Sequence, residues 1–395
     1  MPQPHFDLLD AGDPAALAAA LADRFRAVHD RDPDGVWVAP GRVNLIGEHV
    51  DYNGGLCLPM ALPHATYAAV GRRDDDLVTV TSLQQGSPWT GTLDTLGPGE
   101  VTGWPSYVAG VVWALREQGT GTGGLDVVVD SRVPVGAGLS SSAALECSVA
   151  AAVLELAGEP LDDDSRMRLV GASMRAENEV AGAATGGLDQ TIAMYGETGH
   201  ALLLDCRSWA RRQVPWALDG VDLLVVDTRA THDLSDGGYE SRRRDCERAA
   251  AALGVETLRD VRDAEAALAA VGDAERPRVR HVLSEIERVR VAVDQLEAGD
   301  LTGLGASFLA SHASLRDDYE VSCEELDVVV QTAVAAGALG ARMTGGGFGG
   351  SAIALVPHDK VPDVELAVAA AFAERGWPAP GMLTATPGPG ARRLL

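Results

Sequence analysis

Apolar residues recur at helical spacing over residues 13–30, where Asp13-Pro14 supplies an opening and His29-Asp30 an end, and this predicts an amphipathic helix. Val36-Trp37-Val38-Ala39-Pro40 reads as a short strand. Over 64–82 the period drops to two, with Val78 and Val80 alternating with Thr79 and Thr81, which predicts two paired strands joined around Gly71-Arg72-Arg73-Asp74-Asp75-Asp76. Trp104-Pro105 opens a helix running to about Gln118, and Leu125-Asp126-Val127-Val128-Val129 reads as a strand. An alanine-rich run at 144–156 predicts a helix stopped near Gly158. A further helix is expected over 164–181, then a glycine-rich turn over 182–190. Beyond about residue 200 the pattern gives strands at 201–204 and 221–227, a polar loop over 228–238 and a helix from Tyr239. Helices follow over 275–337, broken near Gly299, Gly303 and Ser322, with strands at 338–342 and 351–356. The mixture predicts an α/β (α+β) fold with a change of character near residue 200.

Length and composition narrow the picture. A chain of 395 residues is expected to form two domains, and 46% hydrophobic with 23% charged residues is a globular composition. The net charge of −25 argues against nucleic acid or an anionic membrane as a partner, and any anion site must be locally positive. Five widely spaced cysteines without a C-x-x-C pair fit reduced thiols, so a cytoplasmic location is expected. The opening Met1-Pro2-Gln3-Pro4-His5-Phe6-Asp7 has no basic region followed by an apolar run, and no apolar stretch approaches about 20 residues. No leader and no membrane span are therefore expected.

Chemistry concentrates first in Val133-Pro134-Val135-Gly136-Ala137-Gly138-Leu139-Ser140-Ser141-Ser142-Ala143-Ala144. A strand, a glycine turn and a helix in that order direct backbone N–H groups and a helix N-terminus at an anion, and serine hydroxyls can meet phosphate or a hard metal ion. A small-residue loop that merely packs is the alternative. The Rossmann fingerprint is excluded because position 141 is Ser where a third glycine is needed. A Walker loop or a protein-kinase site needs a lysine, and the single lysine, Lys360, stands in Pro357-His358-Asp359-Lys360-Val361-Pro362.

The second concentration is Gly41-Arg42-Val43-Asn44-Leu45-Ile46-Gly47-Glu48-His49-Val50-Asp51-Tyr52-Asn53. Its charged residues follow neither a helix face nor a strand face. Such a loop suits recognition of a polyol, whose hydroxyls both donate and accept. A metal site around His49 and a solvated surface loop are the alternatives.

The string from Ala39 to Asn53 resembles the sugar-binding signature of galactokinases, a family within the galactokinase–homoserine kinase–mevalonate kinase–phosphomevalonate kinase (GHMP) superfamily. Residues 134–144 are similar to that superfamily's phosphate motif, and Ala341-Arg342-Met343-Thr344-Gly345-Gly346-Gly347-Phe348-Gly349-Gly350-Ser351 to its third motif. The resemblance implies a two-domain GHMP architecture, residues 1–200 and 201–395, with the active site in the cleft between them. It implies MgATP-dependent phosphorylation of the anomeric hydroxyl of galactose, giving galactose 1-phosphate and ADP, the first committed step of the Leloir route of galactose breakdown. Glu48, His49, Asp51, Gly186 and Tyr239 are implied at the sugar, with Asp189 as the catalytic base and Arg42 beside the transferring group. ATP is implied at Gly136, Gly138, Leu139, Ser140, Ser141, Ser142 and Ala143, and Mg²⁺ at Ser142 and Glu177. Trp104 and Tyr107, three apart on one helix face, are implied near the nucleobase, with ordinary core packing as the alternative. Three departures stand out: Asn178 where many relatives carry His, Gly187-Leu188 for Ile-Met, and Ser351 for a frequent Cys, the last with no expected chemical consequence. The implied rivals are a related kinase acting on N-acetylgalactosamine or arabinose, and a sugar sensor that has lost catalysis. The sensor would be expected to show damage at the serine loop, Arg42 or Asp189, and all are intact. A monomer is expected, with an oligomer left open.

Overall fold

The computed structural model describes residues 5–231 and 238–395; of the polar loop expected over 228–238, residues 232–237 lie outside the described residues. The chain begins with β1 (Asp7–Leu8), α1 (Pro14–His29), β2 (Gly35–Asn44), β3 (Leu56–Cys57), β4 (Pro59–Arg72), β5 (Leu77–Ser82) and β6 (Trp89–Thr92). Next come α2 (Pro105–Glu117), β7 (Leu125–Ser131), α3 (Ser141–Leu156), α4 (Asp163–Arg175) and α5 (Leu188–Tyr195). Then follow β8 (His200–Asp205), β9 (Arg211–Pro215), β10 (Val221–Thr231), α6 (Gly238–Leu253), α7 (Ala264–Ala270), α8 (Arg276–Ala298) and α9 (Leu301–Asp317). The chain closes with α10 (Glu324–Ala335), β11 (Gly340–Thr344), β12 (Gly349–Pro357), α11 (Val361–Arg375), β13 (Gly381–Ala385) and β14 (Arg392–Arg393).

Strict alternation builds the first sheet, ordered β14-β2-β4-β7-β5-β6. Val36, Val38, Tyr67 and Ala69 point to one face, where α1 buries Ala18, Leu21 and Phe25. Trp37, Ala39, Ala68 and Val70 point to the other, against α2, α3 and α4. α1 starts where expected because the Asp13 carboxylate accepts from the Ala16 N–H at 2.8 Å, ahead of Pro14, and it ends at Asp30 in the left-handed region. The hairpin expected over 64–82 does not form. β7 lies between β4 and β5, antiparallel to one and parallel to the other. A glycine-and-aspartate turn marks a reversal but cannot tell whether a later strand will enter between the two arms. Here Gly124 does so, exchanging backbone hydrogen bonds with Arg73 and Asp75.

The second sheet is ordered β1-β13-β10-β12-β11 and packs with the helices α6 to α11. Val43 near the end of β2 and Leu45, Ile46 and Val50 of the segment after it belong to this second core, so that segment is pinned between the two sheets. A small sheet, β3-β8-β9, joins the same segment to the middle of the chain. The terminal strands cross over: β1 pairs with β13, and β14 pairs with β2. Gly299 ends α8 in a left-handed cap as expected, but Gly303 breaks nothing. It sits in the first turn of α9, where its N–H is accepted by the capping Asp300 at 2.9 Å. Among the described residues no helix is long and apolar enough to cross a membrane.

Candidate active site

Between β7 and α3 the chain turns through Gly136 and Gly138, both at positive φ, and reaches α3 with Ser140 also left-handed. No side chain caps α3 and no acid lies in its first turn, so its leading N–H groups and positive dipole end are free for an anion. Gly136, Gly138, Leu139, Ser140, Ser141 and Ser142 line a cavity of about 520 Å³. Ala143 does not: it is fully buried in the first turn of α3. Trp104 and Tyr107 line the same cavity with Val129 and Leu145, forming its apolar end, while Trp104 also packs on the core. Residues 346–350 of the glycine-rich segment also line the cavity. Ser351 donates to the Ala137 carbonyl at 2.7 Å, so it braces the phosphate-type loop.

Arg42 reaches the cavity because β2 is bulged between Pro40 and Arg42. A Cβ on Gly41 would stand 2.7 Å from the Leu139 carbonyl, so only glycine lets β2 approach the loop this closely. The Arg42 guanidinium donates to the Gly138 carbonyl at 2.5 Å and meets Asp189 at 2.8 and 2.9 Å. Ser140 donates to the same carboxylate at 2.5 Å. Asp189 is thus held by two donors in the first turn of α5, which left-handed Gly187 opens.

A second cavity of about 140 Å³ adjoins the first, and Arg42, Asp189 and Gly346 line both. Glu48, His49, Asp51, Tyr239 and Glu177 line the smaller one. Glu48 is largely committed: it accepts from the Gly345 N–H at 3.1 Å, from Thr344 at 3.3 Å and from fully buried Arg342. His49 has both ring nitrogens engaged, by Tyr52 at 2.9 Å and by the Gly346 carbonyl at 3.0 Å. Glu48 and His49, which the resemblance implies at the sugar, therefore already have protein partners. Asp51 is different: burial pushes its carboxyl up to about 6, with the nearby Asp189 charge adding to the shift. Gly186 lies directly against it, so that a Cβ there would fall 2.2 Å from Asp51 Oδ2.

Glu177 stands in a π-helical turn, Ala176–Ala181, that continues α4, a distortion common at functional sites. Burial pushes its carboxyl up to about 7, Asp189 adds to this, and hydrogen bonds from Ser142 and Gln190 oppose it. Asn178 donates to the Met174 carbonyl at 2.8 Å and accepts from the Thr185 N–H at 3.2 Å, bracing the turn before Gly186. Three residues went unread in the sequence. Gln190 donates to Glu177 at 2.5 Å and to buried Glu146 at 3.1 Å. Arg342 also donates to the Asn44 and Leu45 carbonyls, at 3.1 and 2.9 Å, and Glu285 of α8 accepts from the Gly47 N–H at 3.0 Å. A lone arginine in the apolar run before the glycines was the available signal for Arg342. Nothing local marks Glu285.

A nucleotide-sized cavity over a serine-rich helix start, joined through an arginine–aspartate pair to a small polar pocket, defines a small-molecule kinase of the GHMP class. Models of the GHMP kinases N terminal domain and GHMP kinases C terminal match residues 106–197 and 292–374. Mevalonate kinase of Methanococcus jannaschii shares the fold at a TM-score of 0.64 and 16% identity, covering 91% of this chain and 98% of that one. The galactokinase galactose-binding signature matches residues 23–72. The chain is 51% identical to galactokinase of Streptomyces coelicolor, over 96% of this chain and 99% of that one. It is 45% identical to galactokinase of Mycobacterium tuberculosis, over 89% and 97%. The structure of Lactococcus lactis galactokinase complexed with galactose superposes with a TM-score of 0.90 at 32% identity, over 96% and 100%. This chain belongs to the galactokinase family, enzymes that phosphorylate galactose with ATP.

Proposed function

We propose that this chain transfers the γ-phosphoryl group of ATP to the anomeric hydroxyl of D-galactose, releasing galactose 1-phosphate and ADP. The observation that supports it most is that two cavities of unequal size share Arg42 and Asp189. Phosphoryl transfer needs alignment and charge neutralisation more than covalent help from the protein. The larger cavity takes ATP, with its phosphates over the start of α3 and its base toward Trp104 and Tyr107. The smaller one takes the sugar, with Asp51 accepting from its hydroxyls, Glu48, His49 and Tyr239 shaping the wall, and Gly186, which does not line the cavity, packed against Asp51.

Asp189 orients the anomeric hydroxyl and accepts its proton as the sugar oxygen bonds to the γ-phosphorus. The bond from that phosphorus to the bridging oxygen breaks, and ADP leaves with the electron pair. Arg42 offsets charge on the group in transit while holding Asp189 in register. Ser142 and Glu177 offer two hard oxygens side by side, and among the described residues no three His, Cys, Asp or Glu side chains gather to hold a metal alone. That set fits Mg²⁺, which takes few protein ligands and completes its shell with phosphate oxygens and water. When bound with ATP, Mg²⁺ would neutralise phosphate charge that this acidic chain otherwise repels. The free cysteines agree with a cytoplasmic location.

Purified protein with MgATP and a panel of sugars provides the test, read as ADP release and the position of phosphate on the product. Galactose 1-phosphate from galactose, with N-acetylgalactosamine and arabinose turned over far more slowly, is expected. Turnover of another sugar alone would overturn the substrate assignment.

A further inference from the structure

His49 separates the sugar cavity from a buried cluster of hydroxyl and thiol groups. Its Nε2 stands 3.0 Å from the Gly346 carbonyl oxygen and its Nδ1 2.9 Å from the Tyr52 hydroxyl. A carbonyl only accepts, so Nε2 carries the hydrogen. Burial, with His281 adding to it, lowers the imidazole to about 3, so the ring is neutral at physiological pH and Nδ1 is an acceptor. Tyr52 must then donate to Nδ1. A phenol has one proton, so the 2.8 Å contact between the Tyr52 and Tyr319 hydroxyls is donated by Tyr319. By the same rule the 3.1 Å contact between Tyr319 and Cys246 Sγ is donated by the thiol. Each direction follows from the one before it.

The chain ends on a strained residue. His49 has φ 61°, in the left-handed region that a non-glycine residue occupies at a cost and keeps only where its surroundings hold it. Asn53 helps from the other side, donating to the His49 carbonyl at 3.1 Å. Asp51 follows His49 by two, so the placement of this ring bears on where that carboxylate enters the pocket, while Glu48 is held by Arg342, Thr344 and the Gly345 N–H.

We propose that Cys246, Tyr319 and Tyr52 are positioning residues for the sugar, forming a one-way series of donors that locks His49 as its Nε2–H tautomer against the Gly346 carbonyl. The series joins α6, the segment after α9, the sugar loop and the glycine-rich segment at one imidazole. This rests on reading the smaller cavity as the galactose site.

Two-bond ¹H–¹⁵N correlation spectra of the full chain, labelled at histidine and assigned with His49→Gln, test the tautomer without any substrate. The expected His49 pattern is neutral Nε2–H, unchanged from pH 8 down to about 5. Tyr52→Phe should move the Nδ1 resonance and raise the KM for galactose about three- to tenfold, with kcat and the KM for ATP within about twofold. Cys246→Ala should give a smaller rise in galactose KM, and Cys246→Ser should reverse it. An Nδ1–H tautomer or an imidazolium in the unaltered protein would overturn the proposal. So would a Tyr52→Phe variant with unchanged resonance and KM, or equal rises in both KM values. If Tyr52→Phe fails to fold, the unaltered spectrum and the Cys246 pair decide. A protein that turned over no galactose while showing the expected spectrum would overturn the substrate reading and the sugar-positioning role, leaving the tautomer assignment in place.

Discussion

On the proposed reading of the smaller cavity, folding and binding make opposite demands on Asp51. Its pKa in the folded chain is about 6, against an ordinary carboxylate value near 3.8, because burial penalises the charge. The folded state therefore binds this proton more tightly than the unfolded chain, and the group's contribution to stability falls as pH rises from about 4 to 6. Asp51→Asn should melt a few degrees higher than the unaltered protein at pH 7.5, an advantage that shrinks to nothing near pH 4. The same change should cut kcat/KM for galactose about 10- to 100-fold, the weight of hydrogen bonds to a charged group. In the unaltered protein kcat/KM for galactose should fall as pH drops through about 6; a flat profile there would contradict the role. Arg42, Ser142 and Asp189 stood out in the sequence because their neighbours in the chain are glycines and serines, whereas Glu177, between Ala176 and Asn178, was marked only by the resemblance to the family. Arg342, Glu285 and Gln190 were not, because their meaning lies in partners far away along the chain, such as Glu48 for Arg342.

At the scale of elements, the helices and strands followed from periodicity, while their neighbours in space did not. α1 and α3 could be read from caps and alanine content, yet nothing near residues 71–76 announced that β7 would enter between β4 and β5. The π-turn at Ala176–Ala181 was likewise hidden inside a helical pattern. The turn leading into α5 offers a sharp test. Gly186→Ala would drive a Cβ to 2.2 Å from Asp51 Oδ2, forcing either the turn or the carboxylate to move. Overpacking of this kind costs about 1–3 kcal/mol. The KM for galactose should rise about tenfold or more, with the KM for ATP unchanged. Steady-state kinetics with each substrate varied separately would check it.

The whole molecule is tied together by its ends, with β1 in the sheet of the later half and β14 in that of the earlier one. Leu394 donates to the Val36 carbonyl at 2.8 Å, and the Val36 N–H donates to Leu395 at 3.1 Å. The Arg393 guanidinium also lies over the Trp37 ring at 4.9 Å. Deleting residues 392–395 should lower the melting temperature by several degrees, read by calorimetry, because the earlier sheet loses an edge strand. Charge acts at this scale too: a chain of net charge −25 that handles a polyanion must concentrate positive potential where the two substrates meet. In the proposed mechanism Arg42 and the start of α3 supply it, and Asp189 takes the proton there. Asp189→Asn tests that arrangement most directly, with single-turnover transfer measured beside calorimetric binding of galactose and ATP. The account predicts transfer slowed about 10²–10⁴-fold with both ligands still bound. Near-normal transfer by the variant would contradict it.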